Sequence, residues 1–253
     1  MSLEKEIIEF QSHKRKGEDT FKIMEIDHKQ AYEFVTKYHY LGNKRFLTHV
    51  GVGLFFKDEL VGVATYCTPS GLKTLQGWFN VDNKDTSILE LSRLCLRPDL
   101  NQCNATSYLL GRSIRLLKNN YNIRAVITLA DAVRHVGKVY QVCNFKYYGL
   151  TDKKTDFYCY VDDDHFKKSP RGSTKDKDGV WLQRNRKHRY LYLIDKNLKC
   201  LYTEEVLPEY NIDLINEEAK NTLCCSGSNV VYDNRFKVKY SCPKCTGKLI
   251  KDC

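Results

Sequence analysis

The chain has 253 residues, with 41 Lys and Arg against 31 Asp and Glu, a formal net charge of +10 at neutral pH. Apolar residues at 42% and charged residues at 28% are ordinary globular usage, which excludes wholesale disorder and fibrous repeats. The longest apolar runs, such as Ala125–Ala130, fall far short of the roughly 20 residues that span a bilayer. The opening Met-Ser-Leu-Glu-Lys-Glu has no apolar core of a secretory leader, so a soluble intracellular protein with no membrane partner is expected.

Residues 1–20 are polar and basic without periodicity, and read as a flexible lead-in. Asp27 then precedes apolar residues at helical spacing (Ala31, Phe34, Val35, Tyr38), predicting an Asp-capped helix that ends near Gly42. Thr48–Phe56 and Glu59–Tyr66 read as strands joined by a tight turn at Lys57-Asp58. Ile88–Leu96 is a further strand, followed by a helix over about 105–118 with Asn104 or Thr106 as its cap. A short buried strand at Ala125–Ala130, a short helix at Val133–Cys143 and strands at Phe145–Leu150 and Phe157–Val161 follow. A basic, turn-rich stretch over 162–180 interrupts the pattern before a last strand at Arg189–Leu193. A strand–helix–strand unit inside an otherwise antiparallel sheet is an α/β (α+β) mixed sheet flanked by helices. The domain organisation expected is a lead-in over 1–20, a main domain over 21–200 and a Cys-rich tail over 201–253.

The positive charge is concentrated. Between His165 and Tyr190 nine Lys or Arg face only Asp176 and Asp178, whereas the last 53 residues carry seven Lys or Arg against eight Asp or Glu. A basic cluster suits a polyanionic partner, because each phosphate neutralised releases counterions. Within it Arg184, Arg186, Lys187, His188 and Arg189, interleaved with Trp181 and Tyr190, are the candidate contacts to the phosphates and bases of a nucleic acid; the alternative is a solvated loop beside an amphipathic strand. Six of the 11 cysteines lie in apolar segments as small core residues. Cys242-Pro-Lys-Cys245-Thr-Gly has the spacing of a zinc knuckle, and Cys253 with one of the adjacent Cys224 and Cys225 would complete a four-thiolate set.

The segments Tyr38-His39-Tyr40, Glu90-Leu91-Ser92-Arg93-Leu94, Leu129-Ala130-Asp131, His135-Val136-Gly137 through Tyr140-Gln141 to Asn144-Phe145, and Arg186-Lys187-His188-Arg189-Tyr190 occur in one order across residues 25–195. Together they resemble the phage Mom family, and the middle of the chain resembles the GNAT acyltransferase fold. The resemblance implies a virus-encoded protein of the host cytoplasm. It would convert the exocyclic N6 of adenine in DNA to a carbamoylmethyl or related acyl-derived group, blocking host restriction. It also implies an acyl-CoA donor, acetyl-CoA or a relative, whose pyrophosphate meets the start of the helix at Asn104, Thr106 and Ser107. That helix start lacks the glycine-bearing motif usual in GNAT proteins.

By the same resemblance His39, Tyr40 and Asp131 act at the catalytic centre, either as an iron site or in metal-free acid–base work. Tyr140 would protonate the leaving thiolate, and Glu90 would lie near the donor with Arg93. The residues alone allow plainer readings: His39 and Tyr40 as helix-end packing, Asp131 as a helix N-cap, Tyr140 as core, and Glu90 with Arg93 as a structural pair. Two other functions stay open. One is a GNAT N-acetyltransferase acting on a protein or small-molecule amine. The other is a non-enzymatic, zinc-stabilised DNA-binding protein. Oligomeric state is not legible.

Overall fold

The computed structural model describes residues 21–41, 46–69, 71, 73–82, 84–100, 104–132, 135–160, 166–169, 179–207, 230–233 and 238–241. In chain order these form β1 (Lys22–Ile26), α1 (His28–Tyr38), β2 (Val50–Phe56), β3 (Glu59–Cys67), α2 (Thr74–Phe79), β4 (Ile88–Leu96) and α3 (Ala105–Asn120). There follow β5 (Ala125–Asp131), α4 (Lys138–Val142), β6 (Lys146–Leu150), β7 (Thr155–Tyr160), β8 (Phe166–Lys168), β9 (Gly179–Gln183), β10 (Lys187–Leu193), β11 (Val230–Asp233) and β12 (Val238–Ser241). The mixed sheet flanked by helices expected from the sequence is present, as seven strands in the order β1-β2-β3-β4-β5-β10-β6. Strands β1 to β4 pair antiparallel, while β4 and β5, joined through α3, pair parallel. Among the described residues no helix is long and apolar enough to cross a membrane.

The chain forms two compact units. The first comprises residues 1–129, 138–146 and 190–204. Its entry helix is set by a capping box: the Asp27 carboxylate accepts from the Gln30 amide at 2.8 Å, and the Gln30 side chain accepts from the Asp27 amide at 3.3 Å. Lys57 and Asp58 both take positive φ, 49° and 61°, the geometry a two-residue hairpin between twisted strands requires.

Side chains alternate across β3, and the two faces are covered by different helices. Val63 packs with Ala31, Phe34 and Val35 of α1 and with Cys95 of β4. On the other face Tyr66 hydrogen-bonds Ser113 of α3, and a Cβ at Gly62 would lie 3.2 Å from Leu109 of α3. Gly62 thus lets α3 approach the sheet closely. The segment after β10 returns to this unit, where Tyr202 meets Trp78 of α2 edge-on at 4.9 Å.

The second unit comprises residues 130–137, 147–189 and 205–253. It holds a three-stranded sheet, β8-β7-β9, and the β11-β12 hairpin. The stretch expected to be only turn-rich therefore carries β8 and the start of β9. These short strands are hydrogen-bonded to β7 and show no two-residue hydrophobic period. Inside this unit His188 is 5% exposed, and its Nδ1 lies 2.9 Å from the Tyr147 hydroxyl.

Several expectations need correction. The helix predicted over 133–143 begins only at Lys138, after Gly137 at φ 78°, and Asn144 at φ 65° ends it. His188 is not a phosphate contact, because its ring is buried against Tyr147. Arg189, with 11% of its side chain exposed, donates to the Leu150 carbonyl at 2.6 Å instead. Tyr190 is fully buried and cannot stack on a base. Strand β1 and helix α2 are additions. The first is a half-exposed edge strand and the second a six-residue helix, both too short for a clear period.

Two measurements check this description. Asp27→Ala removes the capping box and is expected to cost about 1 kcal/mol, lowering the melting temperature by about 2–4 °C. Asp27→Asn should lose much less. Burial, followed by the nearby His135 and Arg186, pushes the His188 imidazole down to about 4. An unfolded His takes up a proton from about pH 6.5 downward, so folded stability should fall as pH drops from about 6.5 to 4. Above that window the contribution is intact. His188→Gln should flatten this part of the stability–pH curve in denaturant titrations, leaving the slope above pH 7 unchanged.

Candidate functional site

The parallel pairing of β4 with β5 runs from Ile88↔Ala125 to Leu91↔Thr128 and then stops. β4 itself continues to Leu96 against β3 alone. The register of β3 and β4 also shifts at this point: Thr65 pairs with Arg93, and Tyr66 with Leu91. Ser92 is therefore an extra residue, and its hydroxyl lies 2.9 Å from that of Thr65. A bulge where two parallel strands part leaves the β4 backbone out of register beside an opening.

Five expected residues of the first unit, His39, Tyr40, Glu90, Arg93 and Tyr140, lie around this bulge. Arg93 is half-buried, with its guanidinium over the Phe46 ring at 5.0 Å and Nη1 donating to the Ser92 carbonyl at 2.7 Å. Its buried Nε makes no hydrogen bond among the described residues. Burial lowers the Arg93 pKa, while Tyr40, Cys67 and Glu90 act the other way as negative or potentially negative neighbours. Tyr40 is 51% exposed, its ring stacked on His39 at 4.3 Å. Tyr140 of α4 is buried, and burial pushes its phenol up to about 12 against a hydrogen bond with Thr128. It therefore keeps its proton at neutral pH. Cys67 is no thiolate nucleophile, since burial and then Glu90 push its thiol up to about 11.

The start of α3 borders the same group, because the Cys143 thiol donates to the Ser107 carbonyl at 3.4 Å. Asn104 sits at the N-cap without a side-chain cap, and no acidic residue lies in the first turn. Ser107 turns its hydroxyl back onto the Asn104 carbonyl at 2.9 Å. Among the described residues the first amides of this 16-residue helix thus have no side-chain acceptor, which fits the anionic part of a nucleotide-bearing donor.

The second unit groups the remaining expected residues. Asp131 is not a helix N-cap; it ends β5, and the Asn185 amide donates to its two oxygens at 3.0 and 3.2 Å. Arg186 donates from Nε to the Thr151 carbonyl at 2.9 Å, and Arg184 lies 3.8 Å from the buried Asp156. Lys187 is exposed, as is Trp181 at 49%.

Iron does not fit the proposed ligands. His39 Nδ1 accepts from the Leu41 amide at 3.1 Å, so the neutral ring carries its proton on Nε2 and has no lone pair left for a metal. Among the described residues no three His, Cys, Asp or Glu side chains gather to hold a metal. The zinc set proposed on Cys224, Cys242, Cys245 and Cys253 lies outside the described residues.

Sequence reasoning missed Ser92, Phe46 and Asn185. Ser92 lies inside the Glu90–Leu94 motif, but a bulge has no composition signature; Asn185 is an unremarkable amide between two arginines.

No curated protein matches the chain. Among solved structures it is similar to the ribosomal-protein-S18-alanine N-acetyltransferase of Escherichia coli, at 13% identity and a TM-score of 0.42, covering 71% of this chain and 99% of that one. A Bacillus subtilis acetyltransferase in complex with CoA gives 14% identity and a TM-score of 0.39, covering 70% and 99%. An Escherichia coli GNAT family N-acetyltransferase in complex with CoA gives 12% and 0.38, covering 53% and 73%. The model of the Mom protein family matches residues 20–210, which takes in the seven-stranded sheet, the bulge of β4, the start of α3 and Asp131. The chain belongs to the Mom protein family.

Proposed function

We propose that this protein is a transferase that modifies the exocyclic N6 of adenine in double-stranded DNA, with a carbamoylmethyl or related acyl-derived group, and so protects that DNA from restriction. Membership of the Mom family supports the reaction class. The observation that carries the reading is the junction of the β4 bulge, the uncapped start of α3 and the protonated Tyr140 in one unit.

When bound there, an acyl-CoA would supply an activated carbonyl: the N6–carbonyl bond would form as the carbon–sulfur bond breaks, the thiolate leaving with a proton. This accounts for an acyl-derived group, whereas the N–CH2 bond of a carbamoylmethyl group needs chemistry beyond this transfer. The amides of Ala105, Thr106 and Ser107, at the positive end of the α3 dipole, would hold the donor's pyrophosphate. Tyr140 Oη holds the proton that a departing thiolate needs, and burial keeps it there until a base appears. Arg93, with one buried N–H unused among the described residues, is the cation for developing negative charge on an oxygen near the bulge. His39 contributes a hydrogen-bond donor at Nε2, with Tyr40 stacked on it. In the second unit Asp131, oriented by Asn185, is the acceptor for a proton from the exocyclic amine. Lys187 with the partly exposed Arg184 and Arg186 provides the phosphate-facing charge.

Mass spectrometry of nucleosides from the DNA of cells expressing the chain tests this. A deoxyadenosine of increased mass is expected with the wild type. Asp131→Asn keeps a hydrogen bond to Asn185 and should keep the fold, but should lower the modified fraction about a hundredfold. Tyr140→Phe should lower it by about tenfold or more, with thermal stability nearly unchanged. Unmodified adenine in the wild type alongside acetylated protein would favour the N-acetyltransferase alternative.

A further inference from the structure

On the α1 side of the first unit, sharing only Phe46 with the group around Arg93, a surface cavity of about 540 Å³ is lined by His28, Lys29, Tyr32, Phe46 and Leu47. That volume lies within the range of about 300–1,000 Å³ typical of small-molecule sites. Three rings converge on it: Tyr32 and Phe46 are stacked at 5.8 Å and 23°, and His28 meets Phe46 edge-on at 5.6 Å. His28 is held by Thr48, 3.1 Å from its Nδ1. Lys29 adds a positive charge at the rim, and Leu47 remains 67% exposed. Aromatic rings with a cation beside them are the combination that seats an unstacked nucleobase and its phosphate.

Two facts narrow the occupant. Phe46 packs with the α1 cluster on the Val63 face of the sheet, whereas α3 packs on the Gly62 and Tyr66 face. The cavity is therefore not part of the α3 anion site. Its lining also excludes Tyr40, Glu90 and Arg93, although Arg93 lies over the Phe46 ring. A base held here adjoins the reacting group without entering it.

We propose that the His28–Tyr32–Phe46 cavity is a stacking subsite for a nucleobase of the acceptor strand other than the base being modified. The inference rests on DNA being the acceptor and adds that at least one neighbouring base leaves its stack. Stacking there anchors the strand independently of its phosphates, with little sequence preference, because every base presents a π-face.

Fluorescence anisotropy with the full chain tests this, using a labelled single-stranded oligonucleotide and an abasic strand of the same length. The wild type should bind the base-bearing strand about tenfold more tightly than the abasic one at equal salt. Tyr32→Leu should remove most of that preference and Tyr32→Phe should retain it, with the salt dependence the same in all three. Equal affinity of the wild type for both strands would overturn the subsite while leaving DNA as the acceptor, and needs no variant to fold. Weakened acetyl-CoA binding by Tyr32→Leu with the base preference intact would reassign the cavity to the donor and also overturn it. Binding to neither strand at low salt would likewise overturn the subsite, while the double-stranded acceptor stands or falls on the nucleoside mass spectrometry.

Discussion

The structure depends on one interrupted pairing. Parallel strands β4 and β5 share only four residue pairs before β4 continues against β3 alone, and the interruption coincides with the extra residue Ser92. A sheet closed along its whole length would bury these backbone groups in a ladder. Here the bulge, the beginning of α3 and the packed Tyr140 share one region because α3 is the crossover that makes β4 and β5 parallel. Right-handed crossovers of this kind bring a helix start to the carboxyl end of the preceding strand, where anionic ligands meet unsatisfied amides. The protonation states follow from burial: Tyr140 is held as an acid and Cys67 as an inert thiol.

Burial also revises the meaning of the basic cluster. Charge counting treats Arg184 to Arg189 as one patch, yet Arg186 and Arg189 are tied to the carbonyls of Thr151 and Leu150, and His188 is inside. His188 and Arg189 fasten β10 to β6, and Arg186, just before β10, holds Thr151, just after β6. Among the described residues of the cluster Lys187 and Trp181 remain exposed, so from Arg184 to Arg189 the solvated charge is smaller than the sum suggests.

The fold was legible wherever a pattern repeated. Ile88–Leu96 was read to the residue, the Asp27 cap was visible as Asp followed three residues later by Gln, and Lys57-Asp58 announced its turn. Edge strand β1 and the β8 and β9 strands that flank the expected β7 were not, because strands of three to five residues leave no clear two-residue period. In the site, motif order pointed to Glu90, Arg93 and Tyr140, which the first unit does bring near one another. The tautomer of His39 could not be read, since it follows from a backbone amide two residues on. Nor could the aromatic cavity: His28 and Tyr32 share a face of α1 four residues apart, but Phe46 joins them only through its packing on the α1 cluster.

The central claim, that the β4 bulge and the start of α3 together receive an acyl-CoA donor, is tested most directly by amide hydrogen exchange of the intact chain with and without saturating acetyl-CoA. Exchange should slow at Ser92–Leu94 and at Ala105–Tyr108, and stay unchanged around His28 and Tyr32. Unchanged exchange at both of the first two segments would contradict the account.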